Sequence, residues 1–263
     1  MRTVFDHLLV AMMIAVVVAV TLSNALQQME TLKPSLVAVR VDDVQDFAFR
    51  DAQLFLLRYS LENNVPLSLA VIAKDFGLDR ELVDAVKAVL HSGSEVTVHG
   101  WEHENLANLT LAAQVERLRE AKVSLGEVLG VNATVLTPPM FSYDDDTLRA
   151  MSLTGYKIVS GLAELDQRGL VSEGILSIPA TIELSDFANG TWSMKSVQAV
   201  INELGASIHL CGYAVILTHP QEFMKDGKLD QRAVATYGNL IQNISYAYSF
   251  TGLEAFKGLV VNR

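Results

Sequence analysis

The sequence predicts an α/β fold, a closed or nearly closed (β/α)7-type barrel of mainly parallel strands, forming a single domain behind an N-terminal hydrophobic segment. Three observations predict it. From Lys33 onward short β-branched apolar runs alternate with longer helical patterns, and repeated β-α units imply a parallel sheet. About seven such units occur, a number suited to a closed or nearly closed barrel. The runs are too apolar to carry a wet face, as strands covered by helices on both sides must be. An open doubly wound sheet is the alternative. With 263 residues, 50% of them apolar and 19% charged, the chain has material for one large core.

The first element stands outside that pattern. "MRTVFDHLLVAMMIAVVVAVTLSNALQQ" carries Arg2, an apolar run from Leu8 to Leu22 and a small-residue ending at Ser23, Asn24 and Ala25. That is the layout of a secretory signal or signal-anchor helix over residues 1–26, with a linker over 27–33. His7 belongs to it. A span needs about 20 residues, which extension to Leu26 would supply. With Arg2 inside and Glu30 beyond the run, the domain over 34–263 is expected outside the cytoplasm, secreted or held on the membrane if the segment stays uncleaved. Sequons at Asn108, Asn132, Asn189 and Asn243 agree with export.

In chain order "SLVAVRV", "PLSLAVIA", "SEVTV", "NATVLT", "YKIVS", "GILSIPA" and "YAVILTH" read as strands, with "GLVV" near the C-terminus as a further candidate. The segments between read as helices, among them "LDRELVDAVKAVLHSG" capped by Asp79 and "NLTLAAQVERLREAKVSLGEVLG" stopped by Gly130. Asp144, Asp145 and Asp146 open another, where carboxylates cap exposed N–H groups. The pattern "SMKSVQAVINELG" ends at Gly205, which leaves His209 just before a strand, and His91 falls in the last turn of its helix. A formal charge of −10 offers no basic face for phosphates, so nucleic acid is not expected as a partner. Cys211 is the single cysteine, which excludes an internal disulfide or a cysteine metal cluster.

Polar residues fall at strand ends. Asp42 and Asp43 close the first strand, His99 the third in "VTVHGWEH", "TPP" the fourth and His219 the seventh, all on the C-terminal rim where barrel enzymes carry their sites. His99 and His103, four apart, reach one ion at about 2.1 Å if the chain turns helically after Gly100. A carboxylate from another strand end completes a set that leaves open positions for water and a substrate oxygen. One of the paired aspartates can ligate while its neighbour takes a proton from bound water. Neighbouring strand residues point to opposite faces, so Asp42 and Asp43 share a site only where the backbone turns. Arg40 lies on the face of Asp42 and either orients that carboxylate or reaches the rim in an ordinary salt bridge.

These motifs resemble the polysaccharide deacetylases, carbohydrate esterase family four. The resemblance implies a deformed β/α barrel and hydrolysis of acetyl groups from an acetylated sugar or polysaccharide. In "VDD" it implies Asp42 as base and Asp43 as metal ligand, in "HGWEH" His99 and His103 as ligands, and in "LTH" His219 as general acid. It implies a divalent ion, with zinc the best match to the ligands. The family's third motif carries an arginine that holds the catalytic aspartate, and "TPPMFSY" has Thr137 or Pro138 there, so Arg40 is the candidate substitute. Backbone N–H groups near Met140 and Phe141 are candidates to hold an oxyanion, Trp101 and Tyr143 to touch substrate, and Asp186 and Trp192 for the fourth motif. Two alternatives stay open: a metal- or glycan-binding surface protein that has lost catalysis, and a zinc peptidase reading "HGWEH" as His-x-x-Glu-His with Glu102 as base.

Overall fold

The computed structural model describes residues 12–21, 35–164, 169–188 and 190–260. The expected signal or anchor over 1–26 lies largely outside these residues and the linker over 27–33 entirely so; residues 12–21 form an exposed helix. Among the described residues no helix is long and apolar enough to cross a membrane.

Strands and helices then alternate: β1 (Ser35–Val44), α1 (Arg50–Asn63), β2 (Leu67–Val71), α2 (Arg80–His91), β3 (Glu95–Val98), α3 (Leu111–Leu129), β4 (Val135–Leu136), α4 (Asp145–Thr154) and β5 (Ile158–Val159). After them come β6 (Gly169–Leu170), β7 (Leu176–Ser177), β8 (Ile182–Glu183), the hairpin β9 (Ser185–Ala188) and β10 (Thr191–Met194), and α5 (Val197–Cys211). The chain closes with β11 (Ala214–Thr218), the small hairpin β12 (Met224–Lys225) and β13 (Lys228–Leu229), α6 (Gln231–Ala247), β14 (Ser249–Phe250) and a last short helix, α7 (Lys257–Val260).

The main sheet runs β7-β5-β4-β3-β2-β1-β11-β8, parallel throughout. Its two ends are one stretch of chain. Leu176 and Ser177 pair with Ile158 and Val159, Ala180 bridges to Leu162, and Ile182 and Glu183 pair with Ile216 and Leu217. Counting that stretch once, seven strands form a closed ring, distorted where the stretch leaves β5 for β11.

Alternation along β1 divides the packing. Val37, Val39 and Val41 join the larger core under the helices, whereas Ala38 joins a smaller cluster with Val135, Ile158, Leu176 and Val215 inside the ring. Arg40 and Asp42 share the face of Ala38, so two charged groups stand where a barrel ordinarily keeps apolar ones. Helix ends follow the local chemistry: Asp79 accepts from the N–H groups of Glu81 and Leu82, Asp144 forms a reciprocal cap with Thr147, and Gly130 takes the left-handed conformation that ends α3.

Two segments differ from expectation. α5 continues through Gly205 to Cys211 and places His209 in its last turn; the buried Leu204 and Ser207 flank Gly205, and their packing outweighs the roughly 1 kcal/mol that a mid-helix glycine costs. Of the C-terminal "GLVV", residues 258–260 are helical rather than extended and Val261 lies outside the described residues; β14 takes the place beside β1. Behind β14 the buried Leu253 and Phe256 plug the inner cluster. Glu95 locks that plug, accepting from Ser68 Oγ at 2.6 Å and from the N–H of Leu253.

A Cβ on Gly252 would lie 2.8 Å from Glu95 Cδ, and the carboxylate can retreat only by leaving these bonds. Gly252→Ala is expected to lower the unfolding free energy by about 1–3 kcal/mol in a urea titration, as overpacking at a fixed neighbour does.

Candidate functional site

Arg40 and Asp42 are fully buried inside the ring. The guanidinium grips the carboxylate with two bonds, Nε to Oδ1 at 2.8 Å and Nη2 to Oδ2 at 2.9 Å, and its Nη1 reaches Ser160 O at 2.7 Å, Ser160 Oγ at 2.8 Å and Gly161 O at 2.8 Å. The Phe141 ring lies over it, 5.7 Å from the guanidinium carbon. Fork geometry makes this a fixed mount for Asp42. Thr137, which with Pro138 marks where the family's arginine is expected, pairs its hydroxyl with Thr97 at 2.9 Å, and its carbonyl receives His99 Nδ1 at 2.8 Å.

Asp43 shares the site with Asp42 because the strand turns there. Its φ is 58°, in the left-handed region that aspartate tolerates better than most residues, and the pairing with β2 shifts register between Val41 and Val44. Asp43 Oδ1 then lies 3.2 Å from Nε2 of His99 and 3.2 Å from Nε2 of His103. Gln221 Nε2 donates to its other oxygen at 2.8 Å. His99 and His103 do not meet on a helix, since residues 99–103 form a bend in which His103 has φ 62°. Their rings stand edge to face 5.0 Å apart.

One donor atom from each of Asp43, His99 and His103 lies within 4.8 Å of the others, and two imidazole nitrogens with a carboxylate oxygen are a set suited to zinc and similar divalent ions. The donor set fits such an ion. Burial opposes charge on Asp43, yet the bonds from His103, His99 and Gln221 hold its carboxyl well below the usual carboxylate range. The bond to Asp43 in turn raises the His103 pKa, so an ion competes with a proton for that ring.

His219, at the end of β11, is mostly buried. Its Nδ1 meets Glu222 Oε1 at 2.8 Å, and the Trp192 ring lies 5.3 Å from its ring at 34°. Burial works against the imidazolium, but Glu222, Asp42 and Asp43 outweigh it and raise the pKa above the ordinary histidine value.

The other predicted residues are placed as follows. The Phe141 N–H is engaged by Pro138 O at 3.0 Å, whereas the Met140 N–H, at a residue with φ 55°, donates to no group among the described residues. Trp101 and Tyr143 are half-buried and packed on the core. Trp192 stands in the site, but Asp186 is exposed and its nearest cation is Lys195 at 4.0 Å. Glu102 points away, paired with Lys74 and Arg117, and its segment is not helical, which removes the geometry a zinc peptidase requires. Glu222, Gln221 and Ser160 were not anticipated. A Thr-His-Pro-x-Glu run, with glutamate three beyond a would-be cap, was the available signal for Glu222.

A closed ring of seven parallel strands with carboxylates and imidazoles on one rim defines a (β/α)7-type barrel with a candidate site at its mouth. Solved structures share it: the Xyl-CE4 domain of a multidomain xylanase from a termite hindgut metagenome (Trinervitermes trinervoides), at 16% identity and TM-score 0.58 over 86% of this chain and 91% of that one, and a CE4 family pseudoenzyme from Bacillus anthracis, at 12% identity and TM-score 0.58 over 84% of this chain and 65% of that one. The profile of the polysaccharide deacetylase family matches residues 30–159, and over that segment the chain is similar to that family. A chitin deacetylase from Pestalotiopsis sp. is 25% identical over 127 residues, 48% of this chain and 41% of that protein. The chain spans less than half the length of the curated relatives it matches.

Removing Arg40 leaves a buried carboxylate unpaired, which costs about 3–5 kcal/mol. Arg40→Met is expected to lose that much in denaturant unfolding, and markedly less when made in an Asp42→Asn background, the difference measuring the pair.

Proposed function

We propose that the chain is a metal-dependent hydrolase that removes acetyl groups from an acetylated sugar or amino sugar, in a polymer or oligomer, outside the cytoplasm. The observation that carries the reading is the placing of Asp42 on its Arg40 mount beside the Asp43, His99 and His103 cluster, with His219 near enough for both aspartates to favour its charge. A divalent ion on that cluster, zinc by preference, would polarise the acyl oxygen and acidify a water molecule. Asp42 takes the proton of the attacking water, and Arg40 keeps both carboxylate oxygens aimed through the step. The Met140 N–H offers a donor to the oxygen that gains charge. His219 hands its proton to the departing amine or alcohol. Trp192 beside His219 gives the sugar a flat apolar wall.

The second reading is a family member that binds metal and glycan without turnover. Its support is Thr137 or Pro138 in place of the expected arginine, together with a structural neighbour described as a pseudoenzyme. Against it stands the Arg40 mount, which supplies from β1 the grip on Asp42 that Thr137 cannot. Export through the N-terminal apolar run, with secretion or, if the run stays uncleaved, membrane attachment, completes the proposal.

Zinc content and acetate release from acetylated chito- and xylo-oligosaccharides test it. The expected result is about one zinc per chain for the parent and for Asp42→Asn, loss of zinc in His99→Ala, and at least about a hundredfold loss of acetate release in both variants. Zinc bound through His99 with no release from any acetylated glycan would establish the second reading.

A further inference from the structure

We infer that Glu222 is the positioning residue of His219, holding the imidazole with Nδ1 turned into the protein so that Nε2 is the atom presented to substrate. The inference rests on the hydrolase reading and concerns a residue beyond the segment matched by the family profile.

Four donors converge on the Glu222 carboxylate. Oε1 accepts the His219 backbone N–H at 3.0 Å and His219 Nδ1 at 2.8 Å; Oε2 accepts Thr218 Oγ1 at 2.9 Å and Ser185 Oγ at 2.8 Å. Its side chain is 2% exposed, so the carboxylate has no solvent into which to swing. The local sequence builds this arrangement. Pro220 starts a single turn over Pro220–Phe223 with His219 as its cap, and the third residue of such a turn returns its side chain to the cap residue. Glu222 is thereby tied to His219 by backbone and by side chain together.

The hairpin adds a second constraint. Ser185 opens β9, which pairs with β10, and Trp192 of β10 lies beside the imidazole face. With one ring nitrogen bonded and the ring flanked, the ring atom left to exchange a proton is Nε2. The charged groups that face the ring are Glu222 from its own turn, Asp42 and Asp43 from β1, and Glu183 from β8, the last interacting with Lys195. Of these Glu222 alone is within hydrogen-bond distance of the ring among the described residues. An imidazole that donates to a carboxylate through Nδ1 is fixed in tautomer and favoured in its protonated form, as a general acid requires.

The test reads His219 directly by 15N NMR of the zinc-loaded full chain. In the parent, neutral His219 is expected as the Nδ1–H tautomer. In Glu222→Gln its titration midpoint is expected to fall by about one pH unit or more, the effect of removing a hydrogen-bonded charge. The alkaline limb of kcat/KM for acetate release should move down by the same amount, with KM and zinc content unchanged, and Glu222→Asp should recover part of the shift. An Nε2–H tautomer in the parent, an unmoved midpoint in a folded Glu222→Gln protein, or a loss of activity equal at every pH would each overturn the inference. Were the parent to release no acetate, the hydrolase reading alone would fall, because the tautomer and midpoint still decide the role of Glu222.

Discussion

The pairing of Arg40 with Asp42 is the constraint on which the rest of the barrel depends. Taking two charges out of water costs several kcal/mol for each ion, and the attraction between them offsets this only when every remaining donor is satisfied. Here the Nη1 donors are met by Ser160 and Gly161, and Ser160 Oγ passes a bond of 2.6 Å to Ile178 O. A polar chain therefore crosses the ring interior from β1 to the segment after β5 and on to the segment after β7. Strands that a purely apolar filling would leave free to slide are held in register, because a one-residue slip would strand the guanidinium.

Backbone conformation does the complementary work on the rim. Asp43, His103 and Met140 all have positive φ, at 58°, 62° and 55°. Asp43 and His103 use that conformation to bring a carboxylate oxygen and a ring nitrogen to the same cluster. Such conformations cost of order 1–3 kcal/mol when a non-glycine residue adopts them. The Asp43 turn is held by bonds from His99, His103 and Gln221. The turn over Pro220–Phe223 ties the site's two halves together, since Gln221 bonds Asp43 while Glu222 bonds His219.

The seven barrel strands were legible because parallel strands buried on both faces leave unbroken β-branched runs, and the strand-end positions of Asp42, Asp43, His99 and His219 followed from the same pattern. What was hidden has a physical reason in each case. The Arg40 to Ser160 contact joins residues 120 apart, and nothing local marks it. The hairpins β9–β10 and β12–β13 bury little apolar surface, so they lack a periodic signature. α5 passed through a glycine that local propensity reads as a stop. The bend at His99–His103 was read as a helical turn because four-residue spacing serves both geometries, and only the left-handed His103 separates them.

The stretch from β7 to β8 gives each of the seven strands a partner on both sides. An open sheet offers its outer strands to any passing chain, and this ring offers none, which guards the folded protein against edge-to-edge aggregation. The same closure has a kinetic side. The seam joins β1, near the start of the domain, to β11, near its end, so a large loop must close before that pairing forms, and contacts so distant in sequence assemble slowly. A nascent domain emerging as far as β5 already carries Arg40, Asp42 and Ser160 but lacks the strand that seals them, and until β11 arrives its first strand remains an open edge.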